Sequence, residues 1–190
     1  ISILCFGLLS TTSASAIGAL YNGTSGDVAC GTSGFFTITN NVVVSHSSCV
    51  GSVTIPNSVT SVASRAFMWS SAVTSLTIGT GVTEIADTAF YDLGVTSLNI
   101  PGNVTTIGAD AFKDMNNLTT LTLNNGLTTI GSMAFRYAKK LTSLTIPSTA
   151  TSIAAYAFAD LDALTSLAIN EGITTITNNV FYLSTKFLSS

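Results

Sequence analysis

Few side chains in this sequence could carry covalent or acid–base chemistry. Its 190 residues hold one histidine, His46, three cysteines, and nine Asp or Glu against six Lys or Arg. Neither G-x-S-x-G, H-E-x-x-H nor a phosphate-cradling glycine loop occurs, and no Cys or His residues are paired at metal-ligand spacing. Asp160 and Asp162 flank Leu161 in a polar stretch with no third carboxylate at ligand spacing. They read as a solvated face and not as a calcium loop. His46 reads as a solvated or capping residue. The sequence therefore offers no catalytic, cofactor-binding or metal-ligating residue, and the expectation is that the chain is not an enzyme and uses no cofactor.

Cysteine placement points to a different role. Cys5 lies in an apolar leader, which leaves Cys30 and Cys49 on either side of the stretch "FFTITNNVVVSHSS". An even pair in an exported chain implies a disulfide, with two inert buried thiols as the competing reading. Inside the bracket, two runs rich in β-branched and aromatic residues are separated by Asn40 and Asn41, which tolerate the positive φ of a tight hairpin turn. Residues 17–50 are thus expected to form a linker and a disulfide-stapled hairpin cap.

The leader "ISILCFGLLSTTSASA" has an apolar run from Ile1 to Leu9 and an Ala14-x-Ala16 ending. Residues 1–16 read as a signal peptide lacking its first residues, against the alternative of a buried N-terminal strand. The run is too short to span a bilayer.

The elements that would position any site come from a repeat. Phe67, Phe90, Phe112, Phe135, Phe158 and Phe181 are spaced by 23, 22, 23, 23 and 23 residues. Ile55, Ile78, Ile100, Leu123, Ile146 and Ile169 follow the same intervals, as do Val62, Ile85, Ile107, Ile130, Ile153 and Ile176. The short interval drops a residue near Gly94. Each unit opens with a period-two strand such as Ser75-Leu76-Thr77-Ile78, turns at Pro56, Gly79, Pro101 or Pro147, and continues with a second alternating piece such as Val82-Thr83-Glu84-Ile85. An Ala-Phe segment follows, too short for an independent helix and expected to make one helical turn. One unit cannot bury its own apolar face, whereas stacked units share a continuous core.

This spacing reconciles an unusual composition. Apolar residues reach 46%, charged residues only 8%, and mean hydropathy is +0.55, yet beyond the leader no apolar run of spanning length occurs. The apolar positions are interleaved with Thr, Ser, Asn and Gly. Basic residues are scattered apart from Lys139 and Lys140. No basic stripe matches a phosphate backbone, so nucleic acid is not an expected partner, and no basic amphipathic helix addresses a membrane surface.

The phrase "SLTIPSTATSIAAYAF", with I-P, then I, then A-x-A-F, resembles the BspA-type class of bacterial leucine-rich repeats. The likeness covers roughly residues 50–188. Ala66, Ala89, Ala111, Ala134 and Ala157 precede the Phe as that pattern requires. Val180 departs from it, Gly79, Asn124 and Asn170 replace the proline, and Ser70, Leu93, Met115, Ala138, Leu161 and Ser184 stand where the family often has Cys. The resemblance implies a strand-rich leucine-rich-repeat solenoid with short helical turns over residues 51–190, and a secreted or surface-attached protein active in adhesion.

The expected binding face is the outward side of the first strand of each unit. Ser75, Thr77, Ser97, Asn99, Thr120, Thr122, Ser143 and Thr145 form its columns, extended by Ser52, Thr54, Ser166 and Ala168. Simple strand solubility explains the same composition. The first functional reading is an interaction or adhesion module for a protein or glycan partner. The alternative is binding to an ordered surface, ice or crystalline polysaccharide, using a second column at Thr60, Thr83, Thr105, Thr128, Thr151 and Thr174. Trp69 and Tyr91 follow the anchoring Phe on adjacent units, either as an aromatic contact patch or as a cover for the core. The closing "FLSS" matches the start of a seventh strand, so the solenoid reads as truncated at its C-terminus and able to self-associate there. Asn22, Asn103 and Asn117 begin N-x-T sequons, which matter only in a eukaryotic secretory pathway.

Overall fold

The computed structural model describes residues 20–184. The leader reading of residues 1–16 and the "FLSS" reading lie outside the described residues. The cap contains β1 (Gly26–Ala29), β2 (Ser33–Thr39) and β3 (Val42–Thr54) in antiparallel order. Asn40 and Asn41, at φ 50° and 63°, turn β2 into β3, a geometry that asparagine accepts at little steric cost. Cys30 and Cys49 form a disulfide with Cα atoms 5.4 Å apart. β3 is long enough to leave the hairpin and become the first strand of the solenoid.

From there the chain winds in coils, each adding one short strand and one longer one: β4 (Ser61–Val62), β5 (Val73–Thr77), β6 (Glu84–Ile85), β7 (Ser97–Ile100), β8 (Thr106–Ile107), β9 (Thr120–Leu123), β10 (Thr129–Ile130), β11 (Ser143–Ile146), β12 (Ser152–Ile153), β13 (Ser166–Ile169) and β14 (Thr175–Ile176). The short strands pair in parallel in the order β3-β4-β6-β8-β10-β12-β14. Between the two strands of a coil, a reverse turn closes from Val59, Val82, Val104 and Ala150 N–H to the carbonyls of Pro56, Gly79, Pro101 and Pro147.

The core is a set of columns along the coil axis. Val62, Ile85, Ile107, Ile130 and Ile153 are each at most 1% exposed, and β-register pairs each with the next. Beside them the rings of Phe67, Phe90, Phe112, Phe135 and Phe158 stack with centroids 5.2–5.4 Å apart and planes within 9° of parallel. Such ring pairs add roughly 0.5–1.5 kcal/mol to their area burial. Phe36 of the cap meets Phe67 edge-on.

The Ala-Phe segments do not form the helical turn expected from sequence; among the described residues there is no helix. The residues two before and two after each Phe take left-handed backbone angles, such as Arg65 (62°) and Trp69 (63°), or Asp110 (54°) and Asp114 (63°). Backbone donors then alternate in direction. Ala66 and Met68 N–H close turns onto Ala63 and Arg65 O, while Phe67 and Trp69 N–H cross to Ala89 and Tyr91 O of the next coil at 2.7 and 2.8 Å. A helix would direct all these donors back along its own chain. Intercoil bonding spends half of them on the neighbour, satisfying buried backbone that a single turn would leave open.

Candidate interaction surfaces

The longer strands alternate as their sequence demands. In β7, β9 and β11 the pattern exposed–buried–exposed–buried puts Ser97, Asn99, Thr120, Thr122, Ser143 and Thr145 outward over Leu98, Ile100, Leu121, Leu123, Leu144 and Ile146. Ser75 and Thr77 are likewise exposed on β5. The registers match Ser52 with Ser75, Thr54 with Thr77, Ser97 with Thr120, Asn99 with Thr122, Ser143 with Ser166 and Thr145 with Ala168. These columns are nonetheless grouped in three two-strand ladders, β3/β5, β7/β9 and β11/β13, and not in one continuous sheet. Asn124 extends the hydroxyl pattern sideways, donating its amide to Asn99 Oδ1 and to Ile100 O, both at 2.8 Å.

The second threonine column is committed to the backbone. Thr83, Thr105, Thr128, Thr151 and Thr174 each donate the side-chain hydroxyl to the carbonyl of the equivalent threonine one coil earlier, at 2.9–3.3 Å. Their backbone N–H groups reach the same carbonyls. The carbonyls of Thr83, Thr105, Thr128 and Thr151 also receive the N–H of Thr106, Thr129, Ser152 and Thr175 at 2.9–3.4 Å, so each gathers three donors from the next coil.

A third surface was only partly visible in the sequence. Around the Phe turns stand all the described cations, Arg65, Lys113, Arg136, Lys139 and Lys140, each within five residues of an anchoring Phe. Trp69 is 68% exposed and Tyr182 47%, so Trp69 does not cover the core. The neighbouring Asp114, burial and the surrounding carboxylates push the Tyr91 phenol pKa up to about 12. Lys113 Nζ lies 5.7 Å from the centre of the Tyr91 ring. Burial and nearby Asp114 raise the Asp92 carboxyl. Arg136 stacks 4.5 Å over Tyr137 and lies 5.7 Å from Tyr156. Its Nε donates to Asp160 Oδ2 at 2.7 Å, a bond that raises the guanidinium pKa.

One sequence reading needs correcting here, and the solvated-or-capping reading of His46 narrows to its second half. Asp160 is not on a solvated face: it is 8% exposed and held by Arg136 across one coil step, because its left-handed backbone at φ 56° turns the side chain toward the preceding coil. Asp162 is exposed. His46 is no merely solvated residue either. Its ring stacks on Phe67, its Nδ1 is 2.8 Å from Ala66 O, and its Nε2 is 2.9 Å from the hydroxyl of Ser70, which is 4% exposed. His46 therefore begins the aromatic column that the phenylalanines continue. Of the sequons, Asn103 turns its amide inward to Val82 O and Gly79 O.

The signal missed in the sequence was the recurrence of Asp92, Asp110, Asp114, Asp160 and Asn179 two positions from Phe. Asp and Asn are the residues other than glycine that most readily accept a left-handed backbone.

Comparison with known proteins agrees with this geometry. No curated protein matches the chain. Among solved structures, it resembles a leucine-rich repeat protein from Eubacterium ventriosum (TM-score 0.66, 20% identity, 87% of this chain and 48% of that one). It also resembles the T. pallidum leucine-rich repeat protein (TM-score 0.61, 21% identity, 78% and 80%) and a leucine-rich repeat protein from Bacteroides ovatus (TM-score 0.54, 16% identity, 79% and 53%). The chain thus spans about half the length of the E. ventriosum protein. These likenesses establish the fold. The family model for the BspA type leucine rich repeat region matches residues 37–158 and 83–189 in six copies. With its anchors stacked in register along one core, this chain belongs to the BspA-type leucine-rich repeat family.

Proposed function

We propose that the chain is a secreted or cell-surface interaction module that docks a protein or glycan partner across the Ser/Thr-rich strand face. The observation that carries this reading is the exposed, charge-free row from Ser75 and Thr77 through Thr122 to Thr145, held on a rigid core. Such a face binds by shape and by hydroxyl hydrogen bonds, as solenoid surfaces do. The Cys30–Cys49 disulfide supports an oxidising, extracytoplasmic setting. Among the described residues no helix is long and apolar enough to cross a membrane.

Ordered-surface binding is less favoured. It would draw on the second threonine column, whose hydroxyl protons already serve backbone carbonyls, and on a flat continuous lattice where the strand face is divided into three ladders. The reading also includes association of copies through Ile169, Ile176 and Leu183, which are 47%, 53% and 55% exposed. In sedimentation, lysine at Ile176 should shift any oligomer toward monomer, and an unchanged profile would refute that part.

The main test is a binding screen of the labelled chain against arrays of extracellular proteins and glycans, repeated with Thr77→Lys, Thr122→Lys and Thr145→Lys. Captured partners should be lost with the lysine variants while the fold, followed by circular dichroism, is kept. Partners retained by all three variants would remove the strand face from the reading.

A further inference from the structure

The hydroxyl side chains of the coils differ in what the fold already asks of them. Thr119 and Thr165, just ahead of β9 and β13, donate to the carbonyls of Thr96 and Thr142 at 3.0 and 3.2 Å. The column from Thr83 to Thr174, ahead of the short strands, is spent in the same way. In sequence between these committed rows, Ser97, Thr120, Thr122, Ser143 and Thr145 are exposed, and their hydroxyls bond no other group among the described residues. Residue type does not separate the rows; the hydrogen bonds do.

The β7/β9 ladder adds a group of fixed direction. Asn124, in the turn after β9, gives its side-chain amide to Asn99 Oδ1 and to Ile100 O, both at 2.8 Å. Because Ile100 O can only accept, the donor is Asn124 Nδ2, and Asn99 must turn its oxygen toward it. Asn99 Nδ2 and Asn124 Oδ1 are left over, a donor and an acceptor oriented by one bond. Around them stand Ser97, paired with Thr120, and Thr122, paired with Asn99. The other coils lack this pair: Thr54, Thr77, Thr122, Thr145 and Ala168 occupy the place of Asn99, and Asn170, the equivalent of Asn124, follows a coil with Thr145 there.

These groups choose between the two partner classes of the strand-face reading, on which this inference rests. Protein partners are anchored mainly by Trp, Tyr and Arg, with Ser and Thr contributing little. β5, β7, β9, β11 and β13 hold no aromatic and no charged residue. A sulfated or carboxylated ligand would find no counter-charge on them. Saccharide hydroxyls each donate and accept, so they fit side chains free to turn to either role. The scale fits too: outward residues lie about 6.6 Å apart along a strand and about 4.8 Å apart between strands, close to the span of one pyranose. We infer that the β7/β9 ladder, centred on Asn99 and Asn124, is a site for a neutral saccharide, with Asn99 Nδ2 donating to one sugar hydroxyl and Asn124 Oδ1 accepting from its neighbour.

The full chain, labelled, is applied to printed neutral oligosaccharides of glucose, mannose, galactose and N-acetylglucosamine, and to sulfated and uronic-acid oligosaccharides. Capture by at least one neutral class and by neither anionic class is expected. The captured sugar is then titrated by saturation-transfer NMR. Asn99→Asp, which exchanges the free donor for an acceptor, should weaken binding roughly tenfold, the size of one lost hydrogen bond. Asn99→Thr installs the residue of four other coils, so it keeps the fold and should still lose most of the binding. Asp162→Asn, at an exposed residue away from the strand face, should leave the titration unchanged. Silence toward every neutral sugar, equal capture by the anionic ones, or full binding by both Asn99 variants overturns the inference. If extracellular proteins are captured and then lost with Thr77→Lys or Thr145→Lys while no sugar is, the strand-face reading stands and this one falls.

Discussion

The imidazole of His46 lies over Phe67 with ring centroids 5.4 Å apart and planes inclined by 23°. It closes the aromatic column at the cap and spends both nitrogens on Ala66 O and Ser70. His46→Ala removes the stacked ring and leaves a buried hydroxyl without its partner. A loss of about 2–4 kcal/mol is expected, and His46→Phe should recover part of it by restoring the stack alone. Urea denaturation of both variants checks the order.

In the middle of the column, Phe112→Ala and Phe135→Ala each leave a void with rings on both sides. Each should cost about 3–5 kcal/mol. Phe181 is only partly buried, so Phe181→Ala should cost less. Equal losses at all three positions, measured by denaturant midpoints, would argue against axial stacking.

Arg136 and Asp160 are partly shielded, at 22% and 11% side-chain exposure. Truncating one partner strands the other in a partly dry site. Asp160→Ala is expected to lower stability by about 1–3 kcal/mol, between the values for exposed and buried pairs. The double variant with Arg136→Met should recover some of that loss, and a double-mutant cycle measures the coupling.

The Tyr91 phenol is raised from 10.0 to about 12. Because the folded pKa lies above the unfolded one, the contribution of Tyr91 to stability is complete below pH 10 and is lost as pH rises toward 12. Tyrosinate absorbance, taken as wild type minus Tyr91→Phe, should show one late-titrating group. Asp114→Asn should move that group back toward 10, and a difference spectrum centred near pH 10 in the wild type would contradict the hold of Asp114 on Tyr91.

Thr88 is a β-branched residue at φ 57°, an arrangement its side chain disfavours. Asparagine fits that conformation better, so Thr88→Asn should raise stability by about 0.5–1 kcal/mol. A thermal midpoint that falls would mean that the hydrogen bond from Thr88 Oγ1 to Asp87 O outweighs the strain.

The coil repeat and its core were legible because Phe, Ile and Ala recur at fixed intervals and burial follows type: the predicted columns are buried from Phe67 to Phe158, from Ile55 to Ile146 and from Val62 to Ile153, whereas Ile169 and Ile176 are exposed and Phe181 is only partly buried. The outward alternation of Ser97, Asn99, Thr120 and Thr122 was legible for the same reason. Other features depend on distances between coils, which a one-dimensional pattern does not contain. His46 joins the Phe column 21 residues before Phe67, outside the repeat interval, because the antiparallel cap delivers it there. Asp160 finds Arg136 only once the turns are left-handed and the two coils are stacked. The grouping of the strand face into three ladders has no counterpart in the residue types.

The short interval between Phe90 and Phe112 records how this architecture tolerates a change of length. The missing residue falls between Phe90 and Val95, in the turn holding Gly94, where a Cβ would lie 1.9 Å from Ser71 O. The ladders on either side persist: Phe90 N–H still reaches Ala111 O, and Ile85 still pairs with Ile107. In evolutionary terms, that arc behaves as an expansion joint. A residue can be gained or lost there without resetting the partners of any other coil, whereas the same change inside a Phe turn would displace the donors that this turn sends to its neighbour.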